Sequence, residues 1–124
     1  MSVTNYGSTY SSSGKLGGCY TGDPTQKQYL KADYNDGTTN SVANFMSKYI
    51  NKHSFSLAAW SNTDANGSMV TITYGVRLTN GSFLLGNSSQ SVSVGSRITD
   101  GKWHHYCGTY DVDTGIMTMY VDGV

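Results

Sequence analysis

Two stretches near one end of the chain restrict its fold more than any other feature. They are Gly101-Lys102-Trp103-His104-His105-Tyr106-Cys107-Gly108-Thr109-Tyr110-Asp111 and Met117-Thr118-Met119-Tyr120-Val121-Asp122-Gly123-Val124. Trp, Tyr and Thr favour the pleated, half-buried surface of a sheet. Val112-Asp113-Thr114-Gly115 between them supplies Asp and Gly where a chain reverses. In the second stretch Met117, Met119 and Val121 point one way, and Thr118, Tyr120 and Asp122 the other. Period-two alternation of this kind belongs to a strand with one packed face. The pair reads as an antiparallel hairpin, with Trp103 expected in the core.

The rest of the chain carries the same signals at intervals of roughly 8–12 residues, the spacing of a β-sandwich or jelly roll. Strands are expected over 15–20, 55–60, 69–74, 76–79, 82–85 and 92–94. Thr21-Gly22-Asp23-Pro24 reads as a turn, and 97–102 as a loop. Asn80-Gly81 between apolar runs is a strong hairpin signal, on the expectation that both residues take positive φ. One helix is expected near 41–50. Val42, Phe45, Met46, Tyr49 and Ile50 form a single apolar stripe there, with Asn40 or Ser41 as cap. Its expected role is to plug the core.

A chain of 124 residues is one domain's length. Residues 1–13 read as a polar arm that can end in a short edge strand, and 14–124 as the sandwich. Formal net charge is zero and 13% of residues are charged, so no basic field invites nucleic acid. No apolar run approaches the roughly 20 residues of a membrane span, and the first residues do not read as a secretory signal. Ser, Thr, Asn and Gly make up almost half the chain, beside ten Tyr and one Pro. This composition suits a turn-rich all-β protein on an extracellular or virion surface.

The hairpin also resembles a known family. Trp103-His104-His105 through Asp111, then Tyr120-Val121-Asp122-Gly123, is similar to the signature hairpin of laminin G-like jelly-roll domains. These sit with pentraxins among the concanavalin A-like sandwiches. Ser13-Gly14-Lys15-Leu16-Gly17-Gly18-Cys19-Tyr20 resembles the family's opening strand, and Ser54-Phe55-Ser56-Leu57-Ala58-Ala59-Trp60 a central one. Tyr29-Leu30 stands where the family has a Tyr-Ile pair. The resemblance implies an all-β fold, an antiparallel β-sandwich of jelly-roll, concanavalin A-like type. Family members continue past the position of Val124, so closing strands are expected from a longer polypeptide or from other chains at open sheet edges.

Chemistry is constrained by the acids. All eight are Asp; the chain has no Glu. Glycoside hydrolysis needs two carboxylates across the scissile bond, and the sandwich glucanases resembled here place Glu residues on one strand for it. The nearest arrangement, Asp111-Val112-Asp113, abuts a turn, where Asp is favoured for bonding its own backbone. No catalytic residue is assigned and no enzyme is expected. His104 and His105 are adjacent on a strand, so they face opposite ways and do not share a metal. Calcium takes hard oxygen ligands, and Asp64, Asn66, Asp111 and Asp113 are the candidates for it. The pentraxin Asp-Asn calcium pair falls at Asn80-Gly81 and is missing. The pentraxin disulfide pairs the positions of Cys107 and Ala58, so it is absent too. Cys19 and Cys107 are expected as free, mostly buried thiols, the alternative being a Cys19–Cys107 bridge if their strands are neighbours. The function expected is recognition without catalysis. A module of a phage tail, capsid-decoration or other surface protein would bind a glycan or host-surface component for adhesion. The rival reading is a purely structural assembly module, and a glycosidase comes third.

Overall fold

A computed structural model describes residues 2–33, 52–72, 76–85 and 90–124. The helix expected near 41–50 lies outside the described residues. The chain divides into two compact units, residues 1–42 and 43–124.

The first unit consists of two antiparallel ribbons. Strand β1 (Ser2–Tyr6) pairs with β4 (Tyr29–Asp33), with Tyr6 opposite Tyr29. Those two rings stack with centroids 4.6 Å apart. Strand β2 (Thr9–Gly14) pairs with β3 (Gly17–Thr21), which sets Tyr10 opposite Tyr20. The turn from β1 to β2 is tied by Asn5, whose Oδ1 accepts from Ser8 N–H at 2.8 Å while its Nδ2 donates to Ser8 O at 2.7 Å. The stretch expected as an arm thus holds β1 and most of β2. The turn expected at 21–24 becomes a 3-10 turn, Pro24–Gln26, capped by Asp23, whose Oδ1 accepts from Thr25 N–H at 2.8 Å.

The second unit is a sandwich. One sheet has the order β11-β10-β5, from β5 (Phe55–Asn62), β10 (Trp103–Tyr110) and β11 (Met117–Val121). The other has the order β6-β7-β8-β9, from β6 (Ser68–Ile72), β7 (Val76–Thr79), β8 (Ser82–Leu85) and β9 (Gln90–Ser93). All neighbours are antiparallel. Alternation decides the faces. In β5, Phe55, Leu57 and Ala59 are half-buried, while Ser56, Ala58 and Trp60 are exposed. The core is Val76, Leu78, Phe83, Leu85, Tyr106 and Met119, with Phe55, Leu57, Ala59, Tyr110, Met117 and Val121 packed against it.

Gly108 lies on the inner face of β10, and the Phe83 ring of the opposite sheet fills the space where its Cβ would stand. The close approach of the two sheets depends on that missing side chain.

Two expectations are corrected here. Trp103 is half-buried and outside the core; it shares the outer face of β10 with His105 and Cys107, and Tyr106 holds the buried place. The Asn80-Gly81 hairpin forms as expected between β7 and β8, but neither residue takes positive φ. The turn is held by Thr79, whose Oγ1 accepts from Ser82 N–H at 2.8 Å. Asn80 is needed for its side chain instead. It is 1% exposed, and its Nδ2 donates to Ala65 O at 3.2 Å and to Ile98 O at 3.0 Å. Gly81 is needed because Arg97 packs against its Cα. The 63–67 and 94–98 segments are tied to this hairpin through Asn80.

Candidate functional site

The hairpin register places the chemistry. Tyr110 pairs with Met117 and Tyr106 with Val121, so the next position along sets His105 opposite Asp122. Asp122 leaves the strand in a left-handed conformation, φ 53°. Its N–H still donates to His105 O at 2.9 Å, as a ladder residue would. The side chain replaces the backbone acceptor: Asp122 Oδ1 accepts from His105 N–H at 2.9 Å. The same carboxylate offers Oδ2 to His104 Nδ1 at 2.7 Å. His104 Nε2 lies 3.1 Å from Asp100 Oδ1, in the loop before β10. Asp100 Oδ1 also accepts from Lys102 N–H at 3.0 Å, and Lys102 Nζ stands 3.7 Å from Oδ2.

The electrostatics follow from these bonds. The Asp122 hydrogen bond, with a second from Asp100, raises the His104 pKa above its ordinary value. The His104 bond and the His105 N–H hold Asp122 below the usual carboxylate range. The Lys102 N–H, then His104, does the same for Asp100. Burial raises the Tyr106 phenol. The two histidines do part: His104 turns to the carboxylates, while the His105 ring lies 5.2 Å from the Trp60 ring on the opposite face. The Asp100–His104–Asp122 cluster was not singled out from the sequence. The signal for it was the register count back from the turn, which brings Asp122 beside His105.

The outer face of β11-β10-β5 is a polar, aromatic surface. Trp60 and Tyr120 are each 39% exposed. Trp60 pairs with His105, and Cys107 lies between Ala58 and Tyr120. Trp103 lies opposite Asn62 on the same face, and Ser56, Asn62, Thr109 and Thr118 add hydroxyl and amide groups. Trp and Tyr rings with an apolar face and a polar tip suit ligand contact.

The four calcium candidates separate into two pairs. Asp64 and Asn66 are exposed on the loop that follows β5, whereas Asp111 and Asp113 stand beyond Tyr110, which pairs with Phe55 at the opposite end of β5. The length of that strand puts the pairs roughly 20 Å or more apart. Asp111 is also engaged in its turn. Its Oδ1 accepts from Asp113 N–H at 3.0 Å and from Ser54 Oγ at 3.4 Å. The Asp113 N–H first, then the Thr114 hydroxyl and N–H and the Ser54 hydroxyl, hold its pKa below the usual range. Among the described residues no three His, Cys, Asp or Glu side chains gather as a metal cage. The four candidates therefore do not fit one shared calcium ion. Cys19 and Cys107 are both free thiols, and each is half-buried rather than mostly buried.

These features define the class: an all-β, antiparallel sandwich of jelly-roll type, with a His–carboxylate cluster at one end of its central strand and aromatic rings on an outer face. A laminin G family model, described as the concanavalin A-like lectin/glucanases superfamily, matches residues 36–124, and the chain belongs to that family. The match begins after β4, so the likeness drawn for residues 13–20 lies outside it. No curated protein and no solved structure matches the chain. Among the described residues no helix is long and apolar enough to cross a membrane.

Proposed function

We propose that the chain is a non-catalytic recognition module that binds carbohydrate on the outer face of β11-β10-β5. The observation that carries the reading is the exposed pair Trp60 and Tyr120, set among His105, Asn62, Ser56, Thr109 and Thr118. A sugar ring offers C–H groups to an aromatic face and hydroxyls to amide and hydroxyl partners around it. Membership of a lectin-like superfamily supports a binding role, although one sandwich hosts many activities. The absence of Glu and the engagement of Asp111 in its turn argue against hydrolysis. A charge-poor composition rich in Ser, Thr, Asn, Gly and Tyr supports an extracellular or virion-surface setting.

The test is a glycan array with the full chain, followed by titration of the best ligand. Trp60→Ala and Tyr120→Ala should each weaken binding at least tenfold, a loss of ~1.4 kcal/mol, and leave the melting temperature nearly unchanged. Bound glycan should also slow alkylation of Cys107, which lies beside Tyr120. The ligand should be recovered intact; release of reducing ends that Asp111→Asn abolishes would instead make the protein a hydrolase. Calcium is a separate arm. Binding lost to a chelator but kept in Trp60→Ala would move the site to the loops that carry Asp64 and Asn66 or Asp111 and Asp113. An array without hits would favour an assembly role.

A further inference from the structure

We propose that His104 is the pivot of a pH-operated latch, which fastens the loop 99–102 to the turn 121–124 when the imidazole is doubly protonated and releases that loop when it is neutral. The argument is one of donors and acceptors. Both ring nitrogens face carboxylate oxygens, Nδ1 at 2.7 Å from Asp122 and Nε2 at 3.1 Å from Asp100. An ionised carboxylate only accepts, and a neutral imidazole has one N–H to give. Both contacts hold together only if both nitrogens carry hydrogen. Neither acid is placed to supply the extra proton. Asp100 Oδ1 already accepts from Lys102 N–H and Asp122 Oδ1 from His105 N–H, which favours the ionised form of each.

The two contacts are unequal, and that decides which one opens. Asp122 is fixed by two bonds to the His105 backbone. Asp100 sits on an exposed loop and makes the longer contact. A neutral His104 keeps its N–H on Asp122 and turns a bare Nε2 lone pair toward Asp100, whose carboxylate then swings to Lys102 Nζ. Among the described residues, Gly101 N–H also holds the loop beside β10, donating to Thr63 O at 3.2 Å. Among the described residues the charged or titratable groups around His104 are few. They are Asp100 and Lys102 from the loop, Asp122 from the turn, and His105 and Tyr106 from its own strand. Ser61, its partner on β5, carries no charge. The same two bonds raise the His104 pKa, so the latch stays shut through mild acid and opens on the alkaline side of the imidazole's ordinary range.

Amide exchange and ring titration by NMR on the full chain decide this without any ligand, so the outcome does not depend on the glycan reading. As the His104 ring loses its proton, the protection factor of Gly101 N–H should fall at least tenfold, while that of Asp122 N–H holds. In Asp100→Asn the side-chain amide can donate to a neutral Nε2, so the loop should stay fastened and Gly101 protection should become independent of pH. Constant Gly101 protection across the His104 titration of the unaltered protein would overturn the latch, as would a variant as pH-sensitive as the parent.

Discussion

At the scale of single residues, three positions act through where they are held. Gly108 has no side chain because Phe83 occupies its place. Gly108→Ala should therefore cost on the order of 1–3 kcal/mol, the usual penalty of overpacking a filled core. Urea melts measure it, and an unchanged midpoint would mean that the sheets yield. Asn80 is the second case. Its amide serves the carbonyls of Ala65 and Ile98, and truncation leaves both short of a partner. Asn80→Ala should cost about 2–3 kcal/mol, against less than about 0.5 kcal/mol for the exposed Asn66→Ala. Equal losses at the two positions would refute the role given to the buried amide. Asp122 is the third, and its left-handed backbone is what lets one carboxylate serve two successive residues of β10.

At the scale of elements, the hairpin β10–β11 is the centre of the second unit, as its alternation indicated. β10 is the middle strand of its sheet, and its inner face carries Tyr106 into the core. Tyr106→Ala should cost about 3–5 kcal/mol, and Trp103→Ala distinctly less, because Trp103 is half-buried on the outer face. Paired chemical melts compare them; a larger loss at Trp103 would reverse the assignment of faces. Alternation told that β10 has two faces, but both carry large aromatic residues, so hydropathy could not say which one met the other sheet. The Asn80-Gly81 hairpin is the converse case. The dipeptide marked the turn correctly, yet its physical basis is a buried amide and a close approach by Arg97. Turn statistics record where Asn-Gly occurs and not which tertiary contacts select it.

At the scale of the whole molecule, the Asp100–His104–Asp122 cluster shapes stability against pH. The His104 pKa is raised by folding, so its contribution is full below the imidazole's ordinary value of 6.5 and disappears as pH climbs through the raised value. Asp100 and Asp122 are lowered, so theirs is full above the ordinary carboxylate value of 3.8 and is lost as pH falls through the lowered ones. The cluster stabilises most between those two ordinary values. Calorimetric melts from pH 3 to pH 9 should show a declining alkaline limb, and His104→Gln should flatten it. A limb of unchanged slope in the variant would assign the decline to other groups.

The class of fold was already legible in the order of residues, because side-chain alternation and turn chemistry are local and repeat along the chain. The strands 55–60, 76–79, 82–85 and 103–110 were legible for that reason, as was the family likeness of the hairpin. Two further properties needed the fold: which face of a strand is buried, and which distant side chains share a hydrogen bond. Asp64 and Asp111 look alike as turn acids, but β5 sets them at opposite ends of a strand. Asp100, His104 and Asp122 look unrelated, but antiparallel register and one left-handed residue bring them within hydrogen-bond reach. Sequence spacing measures distance along the chain, whereas carboxylates and imidazoles respond to distance through space.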